Sequence, residues 1–156
     1  MKKIILLVLI LSIVTYTNPN IASAQTTDNN ICSIEYISDD IYIETIITEQ
    51  ESLLSRTTIS KTASKISHIK NSDGDVLASF ELIGSFIYDH STSRCTNASC
   101  ITTVNDEHWK FTSTSATKSE ISANGSYTIK CYALGFEMNS ISRTLTISCD
   151  AHGNVY

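Results

Sequence analysis

The stretch VLASFELIGSFIYD, Val76 to Asp89, decides the fold class. Val76, Ala78, Phe80, Leu82, Gly84, Phe86 and Tyr88 fall on one side of a two-residue period, which describes a strand with one dry face. Upstream, Asn71-Ser72-Asp73-Gly74 supplies the Asp-Gly pair that a tight hairpin favours, because glycine accepts the positive φ the turn requires. The hairpin delivers a strand over Ser64 to Lys70 into the central one. Gly84 has no side chain to pack, so it marks a bulge or a close approach by another backbone.

Alternation recurs on both sides of this core stretch. Cys32 to Ile37 and Ile41 to Thr48 read as strands separated by Asp39-Asp40, with Ile41, Ile43 and Ile47 on one side. Glu49 to Leu54 has helical propensity, but the β-branched Ser55 to Ser60 that follows favours a strand. His90 to Asn105 reads as a polar loop holding two cysteines. Trp109 and Phe111 share a face, and a buried Trp opposite the central strand is expected. Ser119 to Leu134 reads as one long strand with a bulge at Asn124-Gly125, and Gly135 to Asn139 as a turn. Ser140 to Cys149 puts Ile141, Leu145, Ile147 and Cys149 inward, with Arg143 the exception. Seven or eight strands and no helix predict an all-β, antiparallel β-sandwich, immunoglobulin-like rather than a closed barrel, with Phe80, Phe86, Trp109 and Leu145 in a shared interior.

Met1 to Ala24 has the form of a signal peptide: Lys2 and Lys3, an apolar run from Ile4 to Val14, then Ala22-Ser23-Ala24. The run is too short to span a bilayer, which takes about 20 residues. Residues 25–156 are then a single secreted domain, extracellular and without a membrane anchor after cleavage. Removing Lys2 and Lys3, with no acidic residue, moves the formal charge from −5 to −7. An acidic product argues against nucleic acid, whose phosphates demand clustered Lys and Arg. Ser and Thr exceed a quarter of the mature chain, which suits strands with a hydroxyl face turned to water.

The run GSFIYDHSTSRC, then Trp109-Lys110, TSTSATKSEISANGSYTIKCY and SRTLTISCDAHGNV resembles a type of small secreted protein of Gram-positive bacteria without characterised function. The matching positions are Gly84, Phe86, Tyr88, Cys95, Trp109, Lys118, Cys149 and Gly153; Cys32, Cys100 and Cys131 are extra, and Glu120-Ile121 stand where a Gly-Asn turn is expected. The resemblance spans Leu77 to Val155. It implies a β-rich fold and a Cys95–Cys149 bridge, and it brings no activity.

Five cysteines in an exported chain make disulfides the default and leave one thiol over, either buried or joining two copies covalently. A turn centred near Glu137 places Cys131 across from Arg143, which disfavours Cys131–Cys149. Cys32 with Cys100 or with Cys131 is the second candidate bridge. His90, Cys95 and Cys100 lack a fourth ligand and the short spacing of a zinc site. Asn71 to Asp75 fails the calcium-loop register, with Ile69 and Phe80 where carboxylates are needed. No nucleophile elbow appears, and His68, His90, His108 and His152 are scattered. The sequence therefore predicts no catalytic residue, metal or cofactor. It favours a non-catalytic binding module facing a protein or cell-envelope partner, with an antimicrobial or toxin-like effector and an extracellular hydrolase as alternatives.

Overall fold

A computed structural model describes residues 30–53 and 59–156, with backbone alone at 30–32, 52 and 53. The predicted signal peptide, residues 1–24, lies outside the described residues. Eight strands follow one another: β1 Asn30–Tyr36, β2 Ile41–Leu53, β3 Ile59–Asn71, β4 Val76–Tyr88, β5 Ser93–Val104, β6 Trp109–Ser119, β7 Ser122–Ala133 and β8 Phe136–Ser148. They form a five-stranded sheet, β1-β2-β3-β4-β5, and a three-stranded sheet, β6-β7-β8, antiparallel throughout. The protein is an all-β, two-layer structure. Each strand pairs with its neighbours in sequence, so both sheets are meanders, and the likeness to an immunoglobulin domain extends no further than two packed antiparallel layers.

The dry face of β4 is realised: Ala78, Phe80, Leu82, Gly84, Phe86 and Tyr88 are all buried. It packs on Ala123, Tyr127 and Ile129 of β7, with the Phe80 and Tyr127 rings 4.8 Å apart. Phe80, Phe86, Trp109 and Leu145 all belong to the one buried cluster, as the alternation predicts. Glycine makes the closeness of the two layers workable. A Cβ on Gly84 would lie 2.7 Å from the Phe86 ring and 3.0 Å from the Ala123 Cβ, and one on Gly125 would lie 3.0 Å from Leu82. Gly84 therefore marks a close approach, but to side chains of its own strand and of the facing sheet.

Several sequence expectations need correction. The polar loop His90 to Asn105 is largely β5, because the free edge of β4 presents backbone groups that pair through Ala78↔Val104 to Tyr88↔Ser93. The long strand from Ser119 is broken at once by the turn Glu120-Ile121, and β7 starts at Ser122. Asn124-Gly125 is not a bulge, since the β7–β8 register runs unbroken from Ser122↔Ser148 to Cys131↔Asn139. The turn after β7 is the two-residue Leu134-Gly135, which sets Cys131 opposite Asn139, and Arg143 opposite Tyr127. Residues 49–53 are strand, as the β-branched stretch after them favours, paired with β3 out to Leu53↔Ile59; of the region Ser55 to Ser60, residues 55–58 lie outside the described residues.

Candidate functional site

A meander places alternate connections at the same end. The connections β1–β2, β3–β4, β5–β6 and β7–β8 share one end of the sandwich, where the backbone N–H groups of Asn105 and Asp106 donate to the Leu77 carbonyl and that of Tyr132 to the His108 carbonyl. The β7–β8 tip is the outstanding feature of this end. Leu134 is 99% exposed, Phe136 74% and Met138 67%. Leu134 and Gly135 both have positive φ, 52° and 82°, the geometry of a type I′ hairpin turn. Leucine is a poor choice there: a left-handed backbone costs a residue with a Cβ about 1–2 kcal/mol, and full exposure returns no packing. Met138 is the extra residue of a bulge, because Cys131 pairs with Asn139 while Tyr132 pairs with Glu137.

The outer edge of β8 is guarded against strand addition. Lys65 Nζ donates to the Thr146 carbonyl at 3.1 Å, Arg143 Nη1 to the Ser142 carbonyl at 2.7 Å, and Ser148 exchanges backbone hydrogen bonds with Tyr156. With the Met138 bulge, these devices cover the edge and leave the hairpin's side chains as the available surface. The Arg143 that broke the inward pattern forms a forked pair with Glu35 of β1, tying the two sheets together.

The same end is acidic. Its connections carry Asp39, Asp40, Asp73, Asp75, Asp106 and Glu107 and no Lys or Arg. Asp106 accepts from the His108 backbone N–H and sits 2.8 Å from its Nδ1, and these contacts hold its carboxyl below the usual range. Of the nearest lysines of the sheets, Lys70 pairs with Glu44 and Lys130 with Glu137, while Lys110 is exposed and in no ion pair among the described residues.

The opposite end is built around Lys61, which is 6% exposed. Its Nζ lies 2.9 Å from Glu49 and 2.7 Å from Glu51 and donates to the Gly153 carbonyl, clasping the turn after β8 onto β3. Burial pulls the Lys61 pKa down, but hydrogen bonds to Glu51 and Glu49 outweigh it and the net shift is upward. Gly153 has φ +85°, and a Cβ there would fall 2.3 Å from the Tyr88 ring. Sequence reading missed Lys61. Its signal was available: counting back by twos from Ile69 through Ser67 passes Ala63 and reaches Lys61 on the inward side.

Cys95, Cys100, Cys131 and Cys149 are free thiols in this structure. Cys95 and Cys149 are buried and flank the β6–β7 turn, the Cys95 N–H donating to the Glu120 carbonyl and the Cys149 N–H to the Ile121 carbonyl. Burial pushes both thiols, and that of Cys131, above the ordinary value. Cys32 and Cys100 do not come together. They stand on β1 and β5, opposite edges of one sheet, roughly 19 Å apart at ~4.8 Å per strand, where a bridge tolerates about 7 Å between Cα atoms. Cys131 is on β7 of the other sheet, beside Trp109 and Asn139.

The histidines serve separate local contacts. His68 meets Ser79 Oγ at 2.9 Å, and burial lowers its pKa; His90 and His152 face each other with ring centroids 6.4 Å apart. No three His, Cys, Asp or Glu side chains among the described residues converge as a metal site. A cleft of about 510 Å³ lies between Ile87–Arg94 and Glu120. Its Asp89 accepts from the Thr92 and Ser91 N–H groups and the Thr92 hydroxyl, which lowers its pKa and makes it a weak base.

No protein-family model matches the chain, and neither a curated protein nor a solved structure does. The geometry of the hairpin therefore carries the functional argument.

Proposed function

We propose that the protein is a secreted, non-catalytic binding module that engages a protein or cell-envelope partner through the tip of the β7–β8 hairpin. The observation that supports this reading is Leu134: an aliphatic side chain, 99% exposed, on a backbone conformation that favours Asn or Gly. Phe136 and Met138 extend the apolar surface along the same hairpin. Contiguous exposed apolar patches mark interaction sites.

Export through residues 1–24 and kinship with the small secreted proteins of Gram-positive bacteria belong to the same proposal, as does a Cys95–Cys149 staple. Those two thiols share the environment of the β6–β7 turn, and joining them requires that turn to give. A non-reducing peptide map of protein recovered from an oxidising medium tests the staple; free Cys95 and Cys149 there would remove it.

The binding reading is tested by immobilising the full chain and a Leu134→Ser/Phe136→Ser variant against the same envelope and culture-fluid fractions. The expected result is a set of partners reduced about tenfold or more on the variant, corresponding to at least ~1.4 kcal/mol, with equal thermal stability. Equal capture by both chains would overturn it.

A further inference from the structure

Resting on the hairpin-tip reading, we infer that the partner is a cationic protein surface with an apolar socket, the socket receiving Leu134 and the basic rim meeting the carboxylates at the same end. The argument is charge complementarity across one end of the molecule. Meander parity gathers Asp39, Asp40, Asp73, Asp75, Asp106 and Glu107 in the three connections that share the tip's end, without a Lys or Arg among them.

These charges are available. Asp39, Asp40, Asp73 and Glu107 are exposed, and none forms an ion pair among the described residues. Lys70 and Lys130, which would offset them, are taken up by Glu44 and Glu137, and Lys110, exposed beside the β5–β6 connection, is a single positive charge against six carboxylates. Like charges at the same end as an apolar prong repel an acidic or anionic-lipid surface and attract a basic one, steering its approach and excluding wrong partners. The guarded β8 edge disfavours, on this hairpin, the competing mode in which an extended peptide of any charge adds a strand.

The test pans a random-sequence peptide display library on the full chain, on Leu134→Ser, and on a variant with Asp39→Asn, Asp40→Asn, Asp73→Asn and Glu107→Gln. The expected ligands carry Lys or Arg around an aliphatic or aromatic residue. Their binding is lost on Leu134→Ser, weakens about tenfold or more on the neutralised variant, and falls steeply between 0.1 and 1 M salt, where the screening length shrinks from ~10 to ~3 Å. Neutral or acidic ligands that depend on Leu134 but ignore salt and the four substitutions would overturn the cationic partner and leave the tip reading standing. No enrichment without adsorption to vesicles, or enrichment indifferent to Leu134→Ser, would overturn both. Adsorption of the chain through Leu134 to phosphatidylcholine vesicles, with no basic ligand selected, would replace the protein partner with a lipid surface.

Discussion

At the scale of single residues, Lys61 shows how a buried charge is held. Three oxygens, from Glu49, Glu51 and the Gly153 carbonyl, replace its hydration. Substituting Lys61→Met leaves those oxygens without their cation and is expected to cost about 2 kcal/mol, below the 3–5 typical of fully buried pairs because Glu51 is half exposed. The Lys61 hydrogen bond, against a smaller opposing effect of burial, lowers the Glu51 pKa. A depressed carboxylate stabilises above its unfolded value, near 4.5, and loses that contribution as pH falls through the folded one. The raised Lys61 contributes below its unfolded value, near 10.5, and loses its contribution as pH rises through the folded one. Melting temperatures of wild type and Lys61→Met should thus differ by a constant amount across neutral pH and converge under acid. A gap that persists undiminished at pH 3 would show that the ion pair does not set it.

At the scale of elements, the β7–β8 hairpin sets stability against exposure. Leu134→Asn supplies the residue that a type I′ turn favours and is expected to raise stability by about 0.5–1 kcal/mol while weakening partner capture. Denaturant melts beside the capture assay would check both halves, and a variant that is less stable would refute the strain assigned to Leu134. The hairpin also shows why some turns were legible and others were not. Asn71 to Gly74 announces itself by Asp-Gly, whereas Glu120-Ile121 and Leu134-Gly135 carry no such pair, so the sequence ran a strand from Ser119 through the first of these turns and centred the last turn near Glu137. Likewise β5, rich in Ser, Thr and Asn, resembles a loop until β4 offers its edge.

At the scale of the whole molecule, two sheets with different numbers of strands leave edges to manage. Lys65 and Arg143 cap carbonyls of β8, and Arg143 also reaches Glu35 across the layers. Replacing both cations with Ala is expected to cost about 1 kcal/mol or less each, since the contacts are exposed, yet to promote self-association by freeing the strand edge. Light scattering against concentration would detect it; a variant that stays as monodisperse as wild type would mean that the bulge and Tyr156 suffice.

The sequence by itself determined the all-β class and the shared interior of Phe80, Phe86, Trp109 and Leu145, because side-chain direction along a strand repeats every two residues and water sorts the two faces locally. Only the tertiary structure decided which strands pair, that Cys32 and Cys100 lie at opposite sheet edges, that Lys61 is buried, and that six carboxylates share the end of the sandwich with one apolar tip. Those are relations between residues far apart in the chain, and no local period records them.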